Sequence, residues 1–223
     1  MGMSHKENDI AWREFDIHQP DDEDDEEDRN FAFQLFAPKE QPYEIMEFLY
    51  PELSHKISIR GKADEGNSTG LGLWLGSEVL CKYMLEHHEL IHGKRVLELG
   101  AGLGLCGIVA HHLGAAEVFM TDGDKEVLIN LRYNMNKNLV GTDTYTNFES
   151  KKPIISCPQL IWGKNLDAFE KQHGRFSVLI SSDCVYLTQS LERLWKTVRA
   201  LLQEDGIYLY VNSCSSQAPV GPL

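Results

Sequence analysis

The stretch Val96-Leu97-Glu98-Leu99-Gly100-Ala101-Gly102-Leu103-Gly104 decides the fold. An apolar run with one acid in it meets three glycines at alternate positions, and Leu105-Cys106-Gly107-Ile108-Val109 continues as a helix. A short buried strand, a turn that lets a ligand approach the backbone, and a helix N-terminus thus follow in order. Downstream the pattern alternates: strand 117–121, helix 125–138, strand 154–162, strand 176–181, helix 190–202, and strand 207–211 behind the Asp205-Gly206 turn. Strands alternating with helices at this spacing predict a doubly wound, mostly parallel α/β sheet with helices on both faces. Upstream, Leu75, Val79, Leu80, Tyr83 and Met84 recur at three- and four-residue steps and predict an amphipathic helix over 74–89. The alternation His55-Lys56-Ile57-Ser58-Ile59-Arg60 predicts a strand of an N-terminal hairpin or cap.

The expected organisation is a disordered acidic arm over 1–30, a hairpin or cap over 31–68 and one ligand-binding domain over 69–223. The eight acids of Asp21 to Asp28 take the formal charge from −5 to −13, so the folded part is only mildly acidic. Such a surface repels phosphate backbones, and no basic patch offsets it; nucleic acid is excluded as a default partner and a basic protein segment suits the charge better. The five cysteines, Cys81, Cys106, Cys157, Cys184 and Cys214, show no CxxC pair and no zinc spacing, which reads as reduced thiols and no metal. No apolar run spans a bilayer and no signal peptide opens the chain, so the expected location is cytoplasm or nucleus, away from membranes. A monomer is expected.

The glycine turn alone is shared with dinucleotide oxidoreductases. Glu98, two residues ahead of Gly100, shifts the balance, because a carboxylate there suits the ammonium of a methionine moiety better than a diphosphate. About twenty residues on, Asp122 ends the next strand, where an acid can accept both ribose hydroxyls. Asp124 competes for that role, its other reading being the N-cap of the following helix. The histidine pairs His87-His88 and His111-His112 fall at helix ends, as solvated final turns. Trp195 and Phe169 read as packing residues, in the core and in a loop.

The run VLELGAGLGLCGIVAHHLGA, followed by VFMTDGDKEVLINLRYNMNKN, resembles the seven-β-strand class I S-adenosylmethionine-dependent methyltransferases that modify protein lysines, the methyltransferase-like 21 and calmodulin-lysine methyltransferase group. A Trp-bearing helix (TGLGLWLGSEVL, Trp74), a Trp-Gly pair (LIWG, Trp162) and an Asp-x-x-Tyr sequence (Asp183 to Tyr186) stand in that family's order. The resemblance implies S-adenosyl-L-methionine as cofactor, with Glu98, Gly100 and Gly102 at its methionine end, Asp122 at its ribose and Trp162 over its adenine. It places Trp74 and Ser182 at the same pocket and Asp183 and Tyr186 as catalytic residues at the acceptor entrance. It implies a protein substrate methylated on lysine, with a small-molecule N-methyltransferase, or an inactive cofactor-binding form, as rival readings. Five strands are countable where that family has seven, so the sheet is expected to lack the last two strands, as in a C-terminally truncated chain.

Overall fold

The protein is described here by a computed structural model, in which residues 42–54, 56–62, 69–139, 154–185 and 188–213 are described. All of these belong to the unit Gln41–Leu223. The acidic arm expected over 1–30 and the beginning of the cap expected over 31–68 lie outside them.

Two antiparallel strands, β1 (Tyr43–Phe48) and β2 (Ile57–Lys62), form a hairpin. Helix α1 (Leu75–Glu86) follows, then β3 (Arg95–Leu99), α2 (Leu105–His112), β4 (Glu117–Thr121), α3 (Lys125–Leu139), β5 (Ile154–Ser156), α4 (Leu166–His173), β6 (Phe176–Ser182), α5 (Thr188–Leu201) and β7 (Leu202–Val211). The last five strands make one parallel sheet in the order β5-β4-β3-β6-β7. The order in which strands are added reverses at β3, which has β4 on one side and β6 on the other. In open parallel sheets the ligand crevice lies at the carboxyl ends of the strands at such a point.

Alternate residues of the strands build two cores. Val96, Val118, Met120, Val178 and Ile180 face α1, α2 and α3, joined by Ile57 and Ile59 of the hairpin. Leu97, Leu99, Phe119 and Leu179 face α4 and α5 through Leu166, Phe169, Leu194 and Val198. Strands buried on both faces explain why β3 and β4 read as near-continuous apolar runs.

The hairpin is fastened to the domain by an unusual device. Asn130, Asn134 and Asn138 recur at every fourth position of α3 and are buried. The Asn138 carboxamide accepts from Ser58 N–H (2.8 Å) and donates to Ser58 C=O (2.9 Å). Asn134 does the same with Arg60 (2.8 and 3.0 Å). Positions four apart on a helix rise about 6 Å, close to the two-residue repeat of a strand, so side chains on α3 pair with β2 as a neighbouring strand would. Asn130 donates to Arg60 C=O and accepts from Arg60 Nε, whose guanidinium lies over the rings of Tyr43 (4.4 Å) and Tyr133 (3.7 Å).

Several sequence expectations need correction. The strand expected over 154–162 stops at Ser156, and after it only an isolated bridge joins Gln159 to Asp122; Pro158 has no N–H to give a ladder. The last strand begins at Leu202 rather than 207. Its register jumps between Phe176↔Leu202 and Val178↔Ile207, so the Asp205-Gly206 turn is a bulge within it. Phe169 lies on a helix, α4, and not in a loop. Trp195 is 45% exposed, its ring meeting Tyr208 edge-on at 5.8 Å, and does not belong to the core. On α1 the buried row is Leu80, Cys81, Met84 and Leu85, whereas Leu75, Val79 and Tyr83 are exposed. His111 is not a solvated end: its Nδ1 is buried with no hydrogen-bond partner in the structure, and burial pulls the ring's pKa down.

Candidate active site

Strand β3 delivers Glu98 and the glycine turn to the crevice. Gly100, Gly102 and Gly104 all have positive φ (66°, 52° and 83°), where side chains are strained. At Gly100 space is also short: a Cβ would stand 2.8 Å from Cys184 Sγ and 3.1 Å from Trp162 Cζ2. The turn is fixed from β4, where Thr121 C=O accepts from Ala101 N–H (2.8 Å) and Asp122 Oδ2 accepts from Gly102 N–H (3.1 Å). Asp122 Oδ1 accepts from Asp124 N–H (3.0 Å). Asp124 in turn accepts from Glu126 N–H (2.7 Å) and Val127 N–H (3.4 Å) and so caps α3.

Around this turn lies a cavity of about 620 Å³. Trp74, Glu98, Gly100, Gly102, Asp122, Trp162 and Ser182, the seven residues expected to hold a cofactor, all line it. They come from the start of α1, from the ends of β3, β4 and β6, and from the segment between β5 and α4. Sequence reading passed over Ser77, Cys184 and Arg193, which also line it. Cys184 stood in plain view between the quoted Asp183 and Tyr186, but Arg193, on α5, carries no motif signal. Four acids, Glu98, Asp122, Asp124 and Glu126, face the space, against the single cation Arg193 among its lining residues.

Burial shapes the two central acids. Glu98 is 3% exposed, and desolvation pushes its carboxyl up to about 8 although Gly107 N–H donates to Oε2 at 3.0 Å. Desolvation likewise raises Asp122, against the hydrogen bonds from Asp124 and Gly102. The Cys184 thiol, under the turn, is pushed up to about 12 by burial and is no nucleophile near neutral pH.

Asp183 is placed differently. It is buried and is not among the cavity-lining residues. Its Oδ2 accepts from Gly76 N–H in the first turn of α1 (2.7 Å), and its Oδ1 accepts from Ser213 N–H (2.5 Å) and Ser213 Oγ (2.8 Å). The residue itself sits at φ +47°, a left-handed conformation that non-glycine residues seldom take and that the surrounding bonds hold. Tyr186 lies outside the described residues.

Among the described residues no group of three or more His, Cys, Asp or Glu side chains could hold a metal ion, and no helix is long and apolar enough to cross a membrane. A carboxylate-lined crevice at a glycine turn suits a cationic ligand with a sugar to grip, and a diphosphate poorly.

Comparison with solved structures gives the same architecture. A SAM-dependent methyltransferase from Agrobacterium tumefaciens superposes with a TM-score of 0.54 at 14% identity, covering 80% of this chain and 56% of that one. A T. thermophilus 16S rRNA methyltransferase, solved in complex with AdoMet and guanosine, gives 0.54 at 15%, covering 77% and 43%. At such identities the likeness is one of fold. In sequence, the Danio rerio protein N-lysine methyltransferase METTL21A is 33% identical over 137 residues, 61% of this chain and 57% of that one. The Mus musculus protein-lysine methyltransferase METTL21E is 32% identical over 194 residues, 84% and 74%. The Cryptococcus neoformans protein N-terminal and lysine N-methyltransferase EFM7 is 33% identical over 145 residues, and there the match spans 46% of the relative's length. The chain thus spans about half the length of several curated relatives it matches. A family model described as lysine methyltransferase matches residues 53–218, most of the chain, and the protein belongs to that family.

Proposed function

We propose that this protein transfers a methyl group from S-adenosylmethionine to the side-chain nitrogen of a lysine in another protein. The observation that carries the reading is the acid-lined cavity at the glycine turn, where Glu98 and Asp122 stand at the ends of adjacent strands. The names of the relatives, protein-lysine methyltransferases, support the choice of acceptor.

The residues present fit the cofactor. Glu98 suits its ammonium and Asp122 its ribose hydroxyls, and the Trp162 indole, packed against Gly100, offers an aromatic face for adenine. When bound, the cofactor supplies an electrophilic methyl group on a sulfonium. Everything else falls to the chain. Burial favours the protonated form of Glu98, and a cation beside it favours the ionised form, its proton passing to solvent. Trp74 and Ser77, at the start of α1, and Ser182, at the end of β6, wall the crevice.

An acceptor lysine, with a pKa near ~10.4 in water, must give up its proton before its nitrogen can attack, and positioning then supplies most of the rate. Asp183 serves by placement: its carboxylate holds Gly76, and so Trp74 and Ser77, against the cavity. Tyr186, three residues on, is the candidate to line the acceptor entrance. The test is incubation of the protein with methyl-labelled cofactor and a cell lysate, beside an Asp122→Ala control. Label fixed on a protein band and recovered as methyl-lysine supports the reading. Label confined to small molecules, or a cavity that takes a nicotinamide dinucleotide in a parallel calorimetric titration, overturns it.

A further inference from the structure

Asn134 does more than pair with the hairpin. Its carboxamide uses both N–H groups and its oxygen: Oδ1 accepts from Arg60 N–H, while Nδ2 donates to Arg60 C=O and to Leu103 C=O, each at 3.0 Å. The side chain is fully buried. Leu103 is the residue between Gly102 and Gly104 in the glycine turn and itself lines the cavity. The turn is therefore gripped at two points, by Asp122 on the Gly102 N–H and by Asn134 on the Leu103 carbonyl. Strand β2 meets the same residue through its side chain, since a Cβ on Gly61 would fall 2.8 Å from Leu103 Cδ1. Asn138, four residues on, offers a natural contrast: it binds Ser58 and the Asn134 carbonyl and makes no hydrogen bond to the turn.

We infer that Asn134 is a positioning residue for cofactor binding, which couples the seating of the N-terminal hairpin to the shape of the glycine turn. The inference rests on the reading of the cavity as a S-adenosylmethionine site. One carboxamide serves the hairpin and the turn together, so a turn held firm by a ligand holds the hairpin more firmly, and a loosened hairpin weakens the ligand. Such coupling is reciprocal. Without the amide, the buried Leu103 carbonyl is left unpaired and the turn relaxes toward another partner.

The experiment compares the wild type with Asn134→Leu and Asn138→Leu by thermal melting and by calorimetric titration with S-adenosylhomocysteine, the unreactive product. Both variants are expected to melt earlier, because both unpair β2. Asn134→Leu, which also frees the turn, is expected to raise Kd by about tenfold, the worth of one buried hydrogen bond, and Asn138→Leu, which loosens the hairpin alone, by clearly less. A second measurement needs no variant: amide hydrogen exchange at Ser58 and Arg60 in the wild type is expected to slow when the ligand is added. Equal Kd changes in the two variants, or exchange in β2 indifferent to the ligand, overturns the inference while leaving the cavity reading intact. A wild type that binds neither S-adenosylmethionine nor its product overturns both. Should Asn134→Leu fail to fold, the wild-type exchange result decides.

Discussion

At the scale of single residues, the site is a set of acids held in unequal surroundings. Glu98 keeps its proton in the folded protein up to about pH 8, while an unfolded chain releases it near 4.5. The folded form binds the extra proton between those values, so this residue makes stability fall as pH rises from about 4.5 to about 8 and then level off. Without ligand, Glu98→Gln should therefore be the more stable protein at pH 8.5 and gain little at pH 4, as denaturant midpoints across that range would report, yet it should bind cofactor less well. A difference curve flat in pH would count against a buried, proton-holding Glu98. For Asp122→Ala, loss of hydrogen bonds to a charged group should weaken cofactor binding by about ten- to a hundredfold, read by calorimetry. If Asp183 works by placement, Asp183→Asn, which tolerates the left-handed backbone and keeps an acceptor oxygen, should retain the wild-type pH profile of transfer with a modest loss of rate. Asp183→Ala should lose transfer and melting temperature together. A profile shifted in Asp183→Asn would instead mark proton transfer. Glu98 and Asp122 were legible because each is fixed by its distance from a glycine or a strand end. The hydrogen-bond partner of Asp183 was not, since Gly76 lies 107 positions away and nothing local announces it.

Among elements, α1 shows how a helix can begin without a cap of its own. Its N-cap is Trp74, with no side-chain bond to the first turn, and the missing acceptor arrives from the end of β6 as Asp183. The close approach needs a glycine: a Cβ on residue 76 would stand 2.5 Å from Asp183 Oδ2. Gly76→Ala should cost about 1–3 kcal/mol in a urea melt, against the usual preference for alanine in a helix. A neutral or stabilising result would show that the carboxylate can step aside. Periodicity found β3, α2, β4 and α3 to within a residue or two because those elements are buried on known faces. It missed α4, five of whose eight residues are charged or polar, and misread the exposed row of α1, where Leu75, Val79 and Tyr83 match the helical spacing as well as the buried row does. The asparagines of α3 gave no warning either: asparagine is a modest helix former, and its value here comes from a strand far earlier in the chain.

Seen as a whole molecule, the fold gathers its chemistry at one edge of the sheet, and a ligand bound there should stabilise all of it. S-adenosylhomocysteine at a hundred times its Kd should add about 2.7 kcal/mol, visible as a later thermal transition, whereas a nicotinamide dinucleotide should leave the melt unchanged. The parallel sheet and its five strands were legible in the sequence, because the alternation of strands and helices depends on local patterns; the hairpin's attachment was not, because it depends on which side chains meet. That attachment also bears on solubility. A two-stranded sheet ordinarily bares a row of N–H and C=O groups along each outer edge, a template on which a stranger's backbone can grow. Here the outward groups of Ser58 and Arg60 are already occupied by amides from α3, so β2 presents a sealed margin, and a double Asn134→Leu, Asn138→Leu chain should turn turbid on gentle warming where the parent stays clear.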